Sequence, residues 1–432
     1  MMEKEDIIDL LEIPQRDYDN YFLKKNPFPQ MGIPGIETPF TVDREKIKKQ
    51  FVRAIGELRT NKRGSVTVLV GDYGNGKTHL LKVFKENINS QLLSLNSGAT
   101  LAIYVQSPGE EFEDLFYGII EDIGRSLLLT YSQKIIRQYY FEHKQEFLRL
   151  IKDGTIRESL DNKNSILSET VIGELIQNSQ YNVIFRNIKE KYFGDVHSND
   201  IIYAFLGLSH PIHSWRAWRW FLGEPLDKSD KEVFNFESTI KDSKIAYDIL
   251  KDFLLLLNDV GISSIVVLVD ELEKITLLHP SKRTKYQDYL RQIIDDLSQN
   301  TVFYFAIAYR QWNILYQEAT ALTRRLESNW YVLDNFTRDE TELFIKKFLY
   351  YGRSENYSSE KAFKKFPKCE TALCPFTNDS IDAIYTYTKG KLSKIIVICS
   401  KLLEFLIDNQ DEYNLITKDM VEKVVREEQR YG

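Results

Sequence analysis

The sequence predicts an α/β fold in which a parallel sheet is followed by an all-helical domain. Apolar segments of strand length alternate with segments whose apolar residues recur at helical spacing, which is typical of a parallel sheet with helices on its faces. Ile265–Val269 is an unbroken apolar run, as expected for a strand covered on both faces. The predicted strands are Val66–Val70, Leu101–Val105, Ile265–Val269, Thr301–Ala308 and Trp330–Leu333.

The alternation is interrupted once and later ends, and these changes suggest domain boundaries. Residues 1–40 contain clustered proline and glycine and predict an extended lead-in. Residues 41–129 and 244–336 predict the sheet domain, and 130–243 predict a large helical insertion. Residues 337–432 predict a helical lid domain, whose expected helices lie near Glu340–Leu349, Asp379–Thr386, Leu392–Ile407 and Thr417–Arg426.

A glycine-rich loop follows the first predicted strand and precedes a helical pattern. Glycines permit the backbone angles of a tight loop whose amides turn toward phosphate oxygens. Lys77 is expected to reach the β and γ phosphates of a nucleotide, and the Thr78 hydroxyl to bind magnesium at the start of the helix. The alternative is a glycine-rich turn without a ligand. The candidate nucleotide-binding residues are Gly71, Asp72, Tyr73, Gly74, Asn75, Gly76, Lys77, Thr78 and His79.

Two acidic residues, Asp270 and Glu271, follow the third predicted strand directly. Ligands of open α/β sheets bind beyond the carboxyl ends of the strands, so we expect both acids beside the phosphate loop. There Asp270 can hold magnesium through water, and Glu271 can polarise an attacking water molecule. The alternative is that Asp270 only caps the helix that follows.

Composition favours a globular protein. The 432 residues are 43% hydrophobic and include 25 Tyr and 25 Phe. The net charge of −6 gives no overall attraction to nucleic acid, so DNA binding needs a local basic patch. Three cysteines, Cys369, Cys374 and Cys399, suit a reducing compartment, with Cys369 and Cys374 as ordinary thiols or half of a metal site. The charged N-terminus and short apolar runs predict a cytoplasmic protein without membrane contact.

Three further features each allow two interpretations. The segment 215–220 interleaves tryptophans with Arg216 and Arg219, as in a surface that clamps a nucleic-acid strand, or as an aromatic plug of the insertion. Lys282–Lys285 is either a second nucleic-acid patch or a solvated charge run. His210 and His213 are metal ligands or ordinary loop histidines.

The order of these parts resembles an AAA+ ATPase. The chain presents a phosphate loop, an acidic strand, a further strand, an arginine pair before the last strand and a helical lid. Within the lid, the resemblance is to origin-recognition and helicase-loader ATPases, and it rests on Phe376–Ile381, Thr388–Lys391 and Leu415–Val421.

A closer similarity is to the prokaryotic P-loop ATPases of BREX-type phage-exclusion systems. It covers most of the chain from Asn26 onward and rests on Gly71–His79, Ala217–Leu226 and Val269–Lys274. The resemblance implies ATP and magnesium as cofactors, a homo-oligomer, and DNA and protein partners within a multi-component system.

The resemblance also implies an arginine finger, at Arg324 or Arg325, that acts on the nucleotide of a neighbouring subunit. The alternative for either residue is a solvated or ion-paired helix arginine. Two positions depart from the AAA+ pattern. Ala308-Tyr309-Arg310 replaces a small polar sensor, and Ser393, with Lys391 and Lys394 nearby, replaces a sensor arginine.

These features predict an ATP-hydrolysing, DNA-associated remodeller or switch in genome defence or replication-like loading. The rival expectation is a scaffold or signalling switch that binds nucleotide with little turnover.

Overall fold

The computed structural model describes residues 17–29, 41–42, 44–90, 99–152, 154, 169–299 and 301–431. It divides into two compact units. The sheet unit comprises Glu45–Gly71 and Leu81–Val332, and the helical unit comprises Met1–Arg44, Asp72–Leu80 and Leu333–Gly432. Of the predicted lead-in, residues 1–16 and 30–40 lie outside the described residues, as do residues 153 and 155–168 of the predicted insertion.

The described part of the sheet unit contains the five predicted strands, and each lies within one residue of its predicted bounds. The strands are parallel and occur in the order β2-β3-β4-β1-β5, so β1 pairs with both β4 and β5. Together with the C-terminal helices, this sheet confirms the predicted AAA+-like P-loop fold class. The strand bounds are β1 Ser65–Val70, β2 Thr100–Val105, β3 Ser264–Val269, β4 Thr301–Ile307 and β5 Trp330–Val332.

Helices form most of the remaining described chain. Before β3 they are α1 Glu45–Asn61, α2 Lys77–Asn89, α3 Phe112–Glu142, α4 Lys144–Arg149, α5 Glu169–Gln177, α6 Tyr181–Tyr192, α7 Asn199–Gly207, α8 Ser214–Phe221, α9 Lys228–Phe234 and α10 Ser243–Asp259. After β3 they are α11 Pro280–Asp296, α12 Tyr309–Glu318, α13 Thr320–Leu326, α14 Arg338–Gly352, α15 Ser359–Lys365, α16 Asn378–Thr388, α17 Leu392–Asp408 and α18 Lys418–Tyr431.

The helices of the predicted insertion share one hydrophobic core with the helices that cover the sheet. Phe253 of α10 contacts Phe116 of α3 at 6.2 Å between ring centroids and Phe221 of α8 at 6.0 Å. Helix α3 continues beyond residue 130, and its only non-helical residue is Gly124, at φ 75°. The domain boundaries at 129/130, 243/244 and 336/337 therefore remain predictions from sequence.

Side chains cover the outer edge of β2, where backbone groups would otherwise lack partners. Asn89 of α2 exchanges two hydrogen bonds with the backbone of Ala102, each 2.9 Å. Asp122 of α3 accepts from the Tyr104 amide at 2.8 Å and pairs with Lys85 at 2.7 Å. An exposed strand edge invites pairing with another chain, so these contacts close it.

The helical unit has a separate core formed by α14 to α18 and part of the N-terminal segment. Phe28 stacks on Phe348 of α14, with ring centroids 5.1 Å apart. The capping box predicted from Thr337 and Glu340 is present, since each side chain accepts from the other's backbone amide. Helices α14, α16, α17 and α18 match predicted helices, whereas α15 was not predicted because it is short and rich in lysine.

Candidate functional site

The carboxyl end of β3 holds Asp270 in a buried, hydrogen-bonded position. Asp270 is only 2% exposed, and its carboxylate accepts from the Tyr104 hydroxyl at 3.0 Å and from the Glu271 amide at 2.9 Å. Burial and the neighbouring Asp270 carboxylate raise the pKa of Tyr104, which keeps this hydroxyl a donor. Neither of these two partners belongs to the 3-10 helix Leu272–Leu277 that follows, so these bonds differ from those of a simple helix cap.

Glu271 has a left-handed backbone, with φ 50° and ψ 39°, which is uncommon for a residue other than glycine. Its carboxylate forms an ion pair with Lys274, with 2.6 Å between Oε2 and Nζ. The side chain is about two-fifths exposed, so water can reach it. Sequence reasoning missed this pairing, although the spacing of three residues was a readable signal.

A third acid, Glu273, links the ends of two neighbouring strands. It is 4% exposed, and its carboxylate accepts from the amide of Ala308, directly after β4, at 3.1 Å. A buried carboxylate needs such a donor. Glu273 therefore fixes the start of α12, where the sequence offers Tyr309 and Arg310, both exposed, in place of a polar sensor.

The end of β1 lies at the same edge of the sheet as Asp270. The amide of Gly71 donates to the carbonyl of Ile307, at the end of β4, at 3.2 Å. On the other side of β4, Val269 of β3 pairs with Phe305. Gly71 begins the phosphate-loop motif, so this motif starts at the same edge of the sheet as Asp270 and Glu271.

The phosphate loop itself has the backbone that its glycines predict. Gly74 and Gly76 both have φ of +84°, and α2 begins at Lys77. The Lys77 ammonium donates to the carbonyl of Asp72 at 3.2 Å and lies 5.6 Å from the ring centroid of Tyr73. The Asn75 side chain donates to the carbonyl of Leu333 at 2.8 Å. Asp72 and Tyr73 are exposed, and Thr78 and His79 are half-buried.

The first turn of α17 packs against the loop, within the helical unit. The amide of Ser393 donates to the carbonyl of Gly74 at 3.1 Å. A Cβ atom at Gly74 would lie 2.3 Å from Ser393 Oγ, and one at Gly76 would lie 2.9 Å from a methyl carbon of Leu392. Positive φ therefore favours glycine at both positions, and at Gly74 the closeness of the Ser393 side chain favours it further. Ser393, the expected sensor position, lies at the loop, and its sensing role remains a prediction.

The structure distinguishes the two adjacent arginines of α13. Arg325 forms a two-pronged ion pair with Asp295 of α11, with contacts of 2.8 and 2.7 Å, and these hydrogen bonds raise the pKa of its guanidinium. Arg324 is exposed, and it has no ion pair with any residue that the structure describes. Arg325 is thus ion-paired in this structure, and the arginine finger at Arg324 or Arg325 stays a prediction.

The aromatic and basic segment of α8 is internally neutralised, so it is not a free basic patch. Arg216 pairs with Asp230 at 2.7 Å, and Arg219 pairs with Glu224 at 2.8 Å and with Asp230 at 3.3 Å. Trp220 is fully buried and donates to the carbonyl of Ser238 at 2.9 Å. This is the aromatic-plug interpretation for Trp220, whereas Trp215 remains 42% exposed.

The second basic patch also has carboxylate partners. Lys282 pairs with Glu111 at 2.6 Å, and Arg283 pairs with Glu318 at 3.0 Å. The sequence alone could not give either partner, since both acids lie far along the chain.

The histidine pair has a structural role in its loop. His210 is buried, and its Nδ1 accepts from the amides of Ile212 and His213, both at 3.3 Å. Burial and the neighbouring His213 lower the pKa of His210 to about 4.

The thiol of Cys369 donates to the carbonyl of Phe376 at 2.9 Å, and all three cysteines are free.

The described residues contain no group of three or more His, Cys, Asp or Glu that could hold a metal ion. Among the same residues, no helix combines the length and apolar character needed to cross a membrane.

Comparison with known proteins supports the resemblance inferred from sequence. Residues 212–346 match the family model described as BREX system ATP-binding protein BrxC/D. This range includes α8 and the acidic strand. No curated protein is significantly similar to the chain.

Solved structures of Aeropyrum pernix origin-recognition proteins are similar over most of the chain. The ORC2 protein in ADPNP–ADP complexes is 11% identical, with 90% of this chain and 68% of that chain covered and a TM-score of 0.48. Its ADP form is 12% identical, with 94% and 73% covered and a TM-score of 0.49. The ORC1 protein in complex with DNA is 10% identical, with 94% and 70% covered and a TM-score of 0.44. Since these scores are below 0.5, the fold assignment rests on the sheet topology.

Proposed function

We propose that this protein is an oligomeric ATPase that binds ATP with magnesium and couples its hydrolysis to a DNA-associated step of prokaryotic genome defence. The observation that carries the proposal is the shared sheet edge: the phosphate-loop motif begins after β1, the acidic pair follows β3, and β4 lies between them. Ligands of parallel sheets bind at such an edge. The match of residues 212–346 to an ATP-binding family of BREX systems supports the setting.

In this proposal the phosphate loop binds the anionic end of the nucleotide. Glycines at positive φ orient successive amides toward phosphate oxygens, and the N-terminus of α2 adds a favourable dipole. The Lys77 ammonium, held by the carbonyl of Asp72, offsets the phosphate charge. Tyr73, 63% exposed, is positioned to cover the ligand.

Thr78 and Asp270 would hold the magnesium ion. Hydroxyl and carboxylate oxygens are the donors that this hard cation prefers, and two hydrogen-bond donors hold the buried Asp270 carboxylate in a fixed orientation. The ion would neutralise charge on the β and γ phosphates. Tyr104 contributes by fixing one carboxylate oxygen of Asp270.

Glu271 serves as the group that orients the attacking water in this mechanism. Its carboxylate is half-exposed at the sheet edge, but Lys274 holds one of its oxygens. The carboxylate must release that lysine, or share it, to accept a proton from water. Arg324 acts on the nucleotide of a neighbouring subunit, because it is the arginine of the pair that no described acid neutralises.

The Glu271–Lys274 ion pair also favours the alternative function, a nucleotide-held switch with little turnover. Lys274 occupies a carboxylate oxygen of Glu271 that would otherwise be open to a water molecule. In that case ATP would order an assembly, and hydrolysis would be slow under all conditions.

The test compares ATP binding and steady-state turnover for wild type, Glu271→Gln and Lys77→Ala, with and without DNA at fixed salt. We expect Glu271→Gln to bind ATP normally and to lose turnover by about 100-fold or more, as general-base loss typically does. Lys77→Ala should lose ATP binding. Glu232→Gln, an exposed acid of α9, is the matched control and should behave as wild type.

The outcomes separate the two functions. Normal turnover in Glu271→Gln would refute its role as base, and tight ATP binding by Lys77→Ala would refute the phosphate-loop role. Tight ATP binding by wild type with negligible turnover in every condition would establish the switch.

A further inference from the structure

One segment of the helical unit is strongly positively charged, although the net charge of the whole chain is negative. Residues 343–368 contain seven basic and two acidic residues, a net charge of +5 in a chain whose total is −6. Four of the lysines are on α15 or within three residues of its end. We call the surface formed by these lysines and three neighbouring aromatic residues the α15 face; it comprises Tyr350, Tyr351, Lys361, Phe363, Lys364, Lys365 and Lys368.

Within the part of the chain that the structure describes, Lys361 and Lys365 contact carbonyl groups. Lys365 donates to the carbonyl of Asn20 at 2.8 Å, and Lys361 to the carbonyl of Asn356 at 3.4 Å. Within the described residues, no carboxylate lies within ion-pair distance of any of the four. Lys346 of α14 differs, because it pairs with both Glu342 and Glu370.

The packing of α15 directs the charge outward. Ser358 caps the helix by accepting from the Lys361 amide at 3.2 Å, and the buried Ala362 and Phe366 face the core of the unit. Lys361, Lys364 and Lys365 are therefore exposed on α15, and the exposed Lys368 follows just beyond the helix. Ammonium groups this close in sequence attract an extended anion.

Three large aromatic rings are exposed on α15 and at the end of α14. Tyr350 is 72% exposed, Tyr351 57% and Phe363 59%. Exposed rings of this size offer stacking surfaces that accept any nucleobase. The face thus combines both elements of a single-strand binding surface, namely backbone charge and aromatic platforms.

The N-terminal segment packs against α15 and pairs with the chain just after Tyr351. Leu23 forms an antiparallel bridge with Arg353, and the Lys24 amide donates to the carbonyl of Gly352 at 2.9 Å. The ring of Phe22 lies 5.8 Å from the Lys365 ammonium and 6.1 Å from the ring of Tyr357. The charged helix is therefore in contact with a further aromatic ring.

We infer that the α15 face binds single-stranded nucleic acid, with phosphates on the lysines and bases stacked on the exposed rings. Charge complementarity selects a polyanion, and aromatic rather than aliphatic exposure favours nucleobases over a lipid surface or an acidic peptide. The inference does not depend on ATP hydrolysis, so it stands or fails separately from the proposed function.

The experiment measures binding of a fluorescein-labelled oligodeoxythymidine, and of oligouridine, by fluorescence anisotropy over about 50 to 200 mM salt. The variant Lys361→Ala/Lys364→Ala/Lys368→Ala should bind at least 10-fold more weakly. Its slope of log K against log salt should be shallower by about 2, since about 0.7 counterions are released per phosphate contacted in single strands. The matched control, Lys46→Ala/Lys49→Ala/Lys228→Ala, removes the same charge from exposed sites in the sheet unit and should bind as wild type.

A second variant tests stacking and keeps the inference open to refutation if the lysine variant is unstable. Tyr350→Ala/Phe363→Ala should weaken binding about 10-fold while the salt slope is unchanged, because stacking releases no counterions. Equal loss for both oligonucleotides identifies single strands in general, and loss for one identifies DNA or RNA. Wild type that binds neither, variants that match the control, or stronger binding to phosphatidylserine vesicles or polyglutamate would overturn the inference.

Discussion

The segment around α8 and the α15 face are alike in sequence, since each sets basic residues among aromatic ones. They differ in what surrounds the charges. The guanidinium groups of Arg216 and Arg219 bind Asp230, a carboxylate 6% exposed, whereas the exposed lysines of α15 form no ion pair with any carboxylate in the described part of the chain. The α8 arginines therefore hold the fold together, and the α15 lysines remain available for a ligand. Composition of a segment does not distinguish these two uses of positive charge.

Arg324 and Arg325 are adjacent in sequence, but only Arg325 is paired with a described acid. Arg324→Ala should lower ATP turnover by roughly 10³-fold with ATP binding retained, because an arginine finger contributes at least that much to phosphoryl transfer. Arg325→Ala should lose the ion pair with Asp295 and a hydrogen bond to the carbonyl of Ala321. The ion pair is partly exposed and contributes about 0.5 kcal/mol. Steady-state ATPase assays and urea unfolding measure the two effects.

Mixing the variants gives an internal control for Arg324. If the finger acts across an interface, Glu271→Gln subunits should restore turnover at the sites of Arg324→Ala subunits, because they supply the arginine that those sites lack. Full ATP turnover by Arg324→Ala, or a larger loss of turnover in Arg325→Ala, would contradict the role proposed for Arg324.

A smaller effect is expected at Asp230, where the comparison predicts loss of stability. Asp230→Asn leaves two partly buried guanidinium groups without their shared carboxylate. Since the arginine side chains are 18% and 31% exposed, we expect a loss of about 2 kcal/mol, below the range for fully buried pairs. Urea unfolding measures the change, and Lys364→Ala on α15 should leave the unfolding free energy unaltered within about 0.5 kcal/mol. Equal stability of the two variants would contradict the assignment.

The smallest effect concerns His210, in the loop just before α8. Its folded pKa of about 4 lies below the ordinary 6.5, so between these values the unfolded chain binds a proton that the folded chain does not. Stability should be full above pH 6.5 and should fall as the pH drops toward 4. The free energy of unfolding at pH 7 and pH 5 measures this dependence.

His210→Gln should show a weaker pH dependence than wild type over that range. His197→Ala removes a histidine that is 87% exposed and should leave the dependence unchanged. Parallel pH curves for wild type and His210→Gln would show that other groups control acid stability.

Much of the fold could be predicted from sequence, and so could the phosphate loop and the position of Asp270. The five strands, the capped start of α14 and the positive φ angles of Gly74 and Gly76 all follow from local backbone preferences and apolar periodicity. Asp270 could be placed at the sheet edge because the carboxyl ends of parallel strands coincide there. Helix α15 was missed, since its seven residues bury little apolar surface and give no periodic signal.

The helices and strands, their order and the residues that can contact phosphate follow from the sequence alone, because they depend on interactions between near neighbours along the chain. Which charges are neutralised depends on the folded structure. Asp295 reaches Arg325 and leaves Arg324 exposed, Lys274 holds Glu271, and Tyr104 and Glu273 support the acidic edge. Most of these pairings join residues far apart in sequence, and a Coulomb interaction depends on the distance and burial that folding sets.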